Sequence, residues 1–441
     1  MKFKLLITFF LLISLMAFSQ QTEKEKQIKT GWNFGLLPAV SYNTDLGFQY
    51  GGLVNFFNYG DGSSYPDYLH NIYLEISRYT KGSAIYRLAY DSEYLIKGIR
   101  ITSDLAYLPD EAFDFYGFNG YQSFFNSSWQ TDSDAAYKSR MFYKYKNQAF
   151  RFKTDFQIPL RDKRFLVLFG FNLQSYKIST VDVDKMNKGK EDNLLPKVAT
   201  LYDKYIDWGI LSSEEKNGGF VPLLKAGLVF DTRDNEPNPM HGMWTEAFLF
   251  GAPFGAESSF LKLNITHRQY FTIIKRDLSF AYQLGYQGTL AGEVPFYYQT
   301  QIETSQMKDQ IGLGGSKTLR GVSRNRVVSD GFVYGNLELR WKPVHFRFIN
   351  QNFYIGLNAF LDGGQSIQKI DIQDKIKIID FGQETEADYF NLSGNEKLHL
   401  SYGAGLRIVM NENFVISCDY GRAIDPQDGK SGLYIGLNYL F

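Results

Sequence analysis

The sequence predicts an all-β fold, a transmembrane antiparallel β-barrel of about sixteen strands. Three observations predict it. Apolar and polar residues alternate with period two through most of the chain after residue 31. The connections between these runs alternate between short turns and long polar loops. The chain is polar on average, with a mean hydropathy of −0.28, although 17% of its residues are aromatic, including 31 Tyr and 38 Phe. Strands with one face in lipid and the other in water have that balance. After the N-terminus no run of about 18 apolar residues offers a membrane helix.

The N-terminus reads as an export signal over residues 1–19. Lys2 and Lys4 give it charge, Leu5 to Phe18 is its apolar stretch, and Ala17-Phe18-Ser19 is a small-x-small cleavage site. Residues 20–30 are then a short periplasmic segment, and 31–441 is the barrel. With 47 basic and 47 acidic side chains the chain lacks the basic excess of a nucleic-acid binder. Its one cysteine, Cys418, excludes disulfides within the chain, and no cysteine follows the apolar stretch to mark a lipoprotein.

The strands follow in order. Trp32 to Tyr42 turns at Asn43-Thr-Asp45 into Leu46 to Tyr59; Tyr68 to Tyr79, Ala84 to Leu95 and Ile99 to Tyr107 come next. After a long loop, Pro109 to Ala136, Ala149 to Leu160 and Phe165 to Ser179 form a pair, and a second long loop runs from about Thr180 to Gly218. Val221 to Thr232, Met243 to Phe250, Leu261 to Ile273 and Leu278 to Leu290 precede the loop Ala291 to Ser329. Phe332 to His345 and Phe353 to Asp362 lead to the charged loop Gly363 to Lys397, and Leu398 to Val409, Phe414 to Gly421 and Leu433 to Phe441 close the chain. The longest loops follow odd-numbered strands. Even-numbered strands end mostly in tight turns, such as Lys97-Gly98, Arg161 to Arg164, Lys275 to Asp277, Asn350 to Asn352 and Asn411 to Asn413. An even strand count with short turns on one rim and long loops on the other fits periplasmic turns and extracellular loops; a soluble sandwich lacks that asymmetry.

Alternation also assigns faces. In Phe332 to Trp341 the apolar Val333, Leu337, Leu339 and Trp341 face one way, and Tyr334, Asn336, Glu338 and Arg340 the other. In the next strand Phe360 and Asp362 share the inward face. A turn centred near Asn350 makes Glu338 and Asp362 a direct cross-strand pair. Two adjacent carboxylates need a cation between them. Arg320, in the glycine-rich stretch Gly312 to Val322, has the planar fork to bond both if its loop folds into the lumen. The alternative is that Arg340 neutralises Glu338 and Arg320 lies exposed on an outer loop.

Gly314-Gly315-Ser-Lys-Thr-Leu319-Arg320-Gly321-Val322 resembles the sixth-loop motif of the outer-membrane assembly factor superfamily, which includes BamA-type insertases, TamA-type proteins and two-partner secretion transporters. That motif reads roughly Gly-Gly, then Val-Arg-Gly-Phe or Tyr; here Leu319 replaces the valine and Val322 the aromatic. Phe360-Leu-Asp362-Gly-Gly364 resembles the family's barrel-wall motif, and Asp231-Thr-Arg233-Asp234-Asn235 with Pro239 and Gly242 its mid-barrel turn signature. Gly436, Tyr439 and Phe441 resemble the C-terminal assembly signal, with Tyr439 and Phe441 expected on the lipid face. The resemblance spans about residues 31 to 441. It implies that the loop arginine enters the lumen and contacts acidic wall residues, which map onto Arg320, Glu338 and Asp362. It further implies a weak seam between first and last strands, a lateral gate that opens into the bilayer. Well-known members carry POTRA modules before the barrel. Between Gln20 and Thr30 there is no room for one, since domains rarely fall below about 50 residues, so a barrel-only relative is expected.

No catalytic motif or cofactor site emerges. Gly312 to Thr318 lacks the Gly-Lys-[Ser/Thr] ending of a phosphate loop, and no Gly-x-Ser-x-Gly elbow occurs. The five histidines lack metal-ligand spacing and read as surface or interfacial residues. Asp231 and Asp234 flanking Arg233 read as a turn network. The expected role is assistance in inserting or translocating proteins or lipids at the outer membrane. The alternative is a passive or gated pore or scaffold; an enzyme is not expected. Expected partners are outer-membrane lipid and lipopolysaccharide, client outer-membrane proteins and a second copy of the chain.

Overall fold

The computed structural model describes residues 28–63, 65, 68–254, 259–306, 310–348, 351–410 and 414–441. The export signal, the turn at Asn350 and the turn Asn411 to Asn413 lie outside them.

Sixteen strands form one closed antiparallel sheet. β1 is in two pieces, Trp32–Pro38 and Ser41–Asn43. β2 is Gly47–Asn58, β3 His70–Tyr79, β4 Ala84–Ile96, β5 Ile99–Asp114, β6 Lys144–Pro159, β7 Phe165–Ser179 and β8 Phe220–Asp231. β9 is Gly242–Ala252, β10 Phe260–Ile274, β11 Leu278–Gly292, β12 Gly331–Phe348, β13 Gln351–Gln368, β14 His399–Met410, β15 Phe414–Ala423 and β16 Ser431–Leu437. Each strand pairs with the next, and β16 pairs back onto β1. Every strand expected from the alternation is present in the expected order.

The ends differ. β5 and β6 run on to Asp114 and back from Lys144, where a polar loop was expected, because Phe113 and Tyr145 are paired and buried beneath the loops. β13 continues past Asp362 to Gln368; Gly363 and Gly364, which read as a break, pair with Gly335 and Tyr334 on one side and Leu400 and His399 on the other. β16 stops at Leu437, short of Phe441.

The faces follow the pleat. On β12, Leu337, Leu339 and Trp341 point outward and are 40–50% exposed, while Asn336, Glu338 and Arg340 are buried. Outward apolar side chains meet lipid, so the barrel keeps its polar residues inside. The largest apolar core lies at the long-loop rim, where residues 115–143, 180–219, 293–298 and 370–392 fold together. There Phe115 packs edge-on against Tyr205 with ring centroids 5.1 Å apart, and Trp208 against Tyr389 at 4.9 Å. Tyr205 sits on α1, Leu201–Asp207, which starts at a capping box of Thr200 and Asp203. This aromatic cap covers the outer mouth.

Candidate functional site

Arg320 lies inside the barrel, 1% exposed. Its Nε and Nη2 donate to the two oxygens of Asp362 at 2.9 and 3.0 Å, and its backbone N–H donates to Asp362 at 3.0 Å. Its Nη1 donates to Glu338 Oε1 at 2.6 Å and to Asp419 Oδ2 at 3.3 Å. The guanidinium stacks over Phe360, 3.6 Å from the ring centroid. A fork that satisfies one carboxylate bidentately and two more through its remaining amine keeps few donors idle, and burial of the charge requires that.

Glu338 and Asp362 both face inward, but they are not opposite each other. Glu338 pairs with Phe360 and Asn336 with Asp362, a two-residue offset. The hairpin is not centred on Asn350: Phe348 pairs with Gln351, and a bulge between Trp341 and Val344 absorbs one more residue. The offset spreads the acids along the guanidinium. Arg340 also bonds Glu338, at Oε2 and 2.7 Å, so the two arginines expected as alternatives share one carboxylate.

Sequence reasoning missed Asp419 and Arg407 on β15 and β14. Arg407 donates to both oxygens of Asp419 at 2.7 and 2.9 Å. The period-two pattern that exposed Glu338 also turns Asp419 and Arg407 inward; without a motif around them, nothing in the sequence joined them to Arg320. Three arginines, 320, 340 and 407, thus meet three carboxylates, 338, 362 and 419.

The loop motif is built for close approach. Gly315 N–H bonds the Val322 carbonyl at 2.8 Å, and the Thr318 hydroxyl takes the Gly314 N–H at 2.9 Å. Leu319 and Val322 are buried. Gly321 has φ +100°, and a Cβ there would lie 2.5 Å from the Gly421 and Arg422 backbone of β15. A Cβ on Gly421 would lie 2.4 Å from the Arg320 carbonyl oxygen. The two glycines let loop and wall touch through backbone. Gly321 N–H also donates to the Tyr434 hydroxyl on β16 at 3.1 Å, and Ser316 bonds Asn43 at the end of β1 at 2.9 Å. The loop therefore reaches both sides of the barrel's closure.

That closure is short. β16 and β1 pair through Tyr434–Asn43 and Ile435–Tyr42 only, against sixteen pairs between β12 and β13. Thr44 and Leu433 clasp its outer end. Below it, Asn438 takes a φ of 68° and turns the chain into the lumen. Tyr439 and Phe441 are buried, not lipid-facing as expected. Arg340 lies 4.3 Å from the Tyr439 ring centroid and 4.9 Å from that of Phe441, and its Nη2 donates to the Phe441 carbonyl oxygen at 3.0 Å. An inward cation and the ring faces attract each other, which the alternation alone did not show. Gly436 stays on β16.

The turn signature lies at the opposite mouth. Asp231 takes Arg233 bidentately at 2.7 and 3.0 Å, and Asp234 accepts the N–H groups of Met240 and His241. Gly242, φ +95°, leaves no space for a Cβ, which would lie 2.1 Å from the Thr232 carbonyl oxygen. The turn crosses the mouth: Glu236 approaches Arg100 on β5 at 3.7 Å, and Asn238 donates to the Tyr354 hydroxyl on β13 at 2.7 Å. His399 corrects the surface reading of the histidines. It is buried between Asp428 and Glu396, at 2.6 and 3.1 Å, and stacked on Tyr121.

A family model described as the Omp85 superfamily domain matches residues 113–441. The chain is similar in structure to BamA from Haemophilus ducreyi lacking POTRA domains 1-3, at 14% identity and a TM-score of 0.56, covering 93% of this chain and 71% of that one. It is also similar to CdiB from Escherichia coli, at 11% identity and a TM-score of 0.50, covering 93% of this chain and 63% of that one, less than two thirds of its length. Curated proteins give no match. At these identities the likeness to both structures is one of fold.

Proposed function

The chain belongs to the Omp85 superfamily and is an integral outer-membrane barrel, and from that premise we propose that it assists insertion or translocation of proteins at the outer membrane through the seam between β16 and β1. The observation that carries this reading is the seam itself, with its two residue pairs and the inward turn at Asn438. Along Trp32–Pro38, β1 pairs with β2, and among the described residues no strand pairs with its other edge. Such an edge offers hydrogen bonds to an incoming strand, each worth about 0.5–1.5 kcal/mol net. Pro38 is tolerated there because an edge position needs no donor. The barrel acts on this reading by presenting backbone, not by catalysis. Its partners are lipid and lipopolysaccharide around the apolar face and client strands at the seam.

The test is folding of a small denatured outer-membrane barrel into liposomes with and without this protein. Acceleration is expected. A disulfide made from Tyr42→Cys and Ile435→Cys in a Cys418→Ser background joins registered neighbours across the seam, at a spacing a disulfide spans. It should abolish the acceleration until reduced. Acceleration that persists with the disulfide closed would rule out the seam; no acceleration in any form would favour a pore or scaffold.

A further inference from the structure

The loop that carries Arg320 is held in a second place. Its first limb, residues 301–306, lies against a different sector of wall, and six consecutive strands each send it at least one inward polar side chain. Lys153 on β6 and Lys225 on β8 both donate to the Thr304 carbonyl oxygen at 2.9 Å. Asn172 on β7 donates to Glu303 at 2.9 Å. Glu246 on β9 accepts the Ser305 N–H at 2.8 Å. Arg268 on β10 donates to the Gln306 side chain at 2.9 Å, and Gln287 on β11 accepts the Glu303 N–H at 3.0 Å. Glu303, Thr304, Ser305, Lys225 and Glu246 are all buried.

The chemistry inverts that of Arg320. There the loop brings the cation and the wall the acids; here the loop brings an acid and carbonyl oxygens, and the wall brings amines. We propose that residues 303–305 are a second, independent anchor of the loop, with Lys225 and Asp155 as its positioning pair. Lys225 lies 2.9 Å from Asp155 on β6 and 3.8 Å from Glu303. Asp155 orients the amine, and the amine holds a backbone carbonyl, so the anchor fixes the main chain of the limb. Contacts on β6 to β11 share no residue with those on β12, β13 and β15 that hold Arg320, so either set can be broken alone. The anchor exists whether or not the seam handles clients.

Thiol labelling of a Thr304→Cys reporter in the Cys418→Ser background tests this in reconstituted full-length protein. Position 304 is buried, and its carbonyl, not its side chain, receives the amines. With Arg320→Ala added, labelling by a membrane-impermeant maleimide should stay within about twofold of the parent. With Lys225→Met/Asp155→Asn added instead, a pair removed together so that the net charge of the buried cluster is unchanged, it should rise at least about tenfold, as loss of charge-assisted hydrogen bonds implies. Heat-modifiable mobility reports that the barrel is folded. Exposure of the reporter thiol by Arg320→Ala alone, or no change with the wall pair removed, overturns the proposal. If the wall pair does not assemble, Glu303→Ala alters no wall strand and loses the Asn172 and Lys225 contacts to the acid while the amines stay on the Thr304 carbonyl, so labelling must rise by a smaller but measurable factor, above about twofold; unchanged protection overturns the proposal equally.

Discussion

Alternation turned Glu338 and Asp362 inward, but it left Arg320 and Arg340 as alternative partners; the contact with Arg320 was legible through the resemblance of the loop motif. Asp419, Arg407 and the two-residue offset were not, since a bulge near Trp341 and pairings across distant strands leave no local mark. With three arginines matched to three carboxylates, Arg320→Ala leaves an uncompensated negative charge in the lumen. It should destabilise the barrel by about 3–5 kcal/mol, read as a lower temperature for loss of the heat-modifiable band. Arg320→Lys keeps the charge without the fork and should fall between the two. A band unchanged by Arg320→Ala would show that the wall carries the stability unaided. In the cap, Glu384 accepts from Lys138 and Lys204, each at 2.7 Å. Burial raises its carboxyl, but the two lysines outweigh that and hold it at about 2, below its ordinary 4.5. A lowered folded value means the contribution is complete above the unfolded value and is lost as pH falls from about 4.5 towards 2. Trp129 and Trp208 lie under these lysines and should report a fluorescence change in that window. Glu384→Gln should remove the change.

Strand number, order and facing were readable because a barrel repeats one physical rule, lipid outside and water-compatible groups inside, over every strand. What failed lies where another force overrides the rule. Aromatic packing under the cap lengthens β5 and β6, and cations draw Tyr439 and Phe441 inward. Gly421 reads as an ordinary strand residue, yet its missing side chain is what lets the Arg320 backbone rest on β15. Gly421→Ala should therefore act on the loop and not on the sheet. The variant should assemble with its strand pairing intact, seen as an unchanged far-ultraviolet dichroism spectrum, but shift the heat-modifiable band in the direction of Arg320→Ala by a smaller amount. A full-sized loss of β-structure would mean that β15 itself needs the glycine.

An unplugged barrel of this strand number leaves an aqueous channel. Here three layers obstruct it. The aromatic cap covers the outer mouth, the loop crosses the lumen between its anchors on β6–β11 and on β12, β13 and β15, and the turn Thr232–His241 crosses the other mouth from Arg100 to Tyr354. Strand count distinguishes neither a passive or gated pore nor an insertase, so the sequence left them open; the obstruction speaks against a passive pore, which conducts at rest, and conductance tests a gated one. In planar bilayers the protein should stay near baseline. Arg320→Ala should add only brief openings, because the limb at Glu303 remains tied. Combining Arg320→Ala with Lys225→Met/Asp155→Asn frees the loop at both ends and should produce discrete, long-lived conductance steps. Steady large conductance in the unaltered protein would restore the pore reading. Equal conductance in the single and combined variants would mean that the cap, not the loop, sets the resistance.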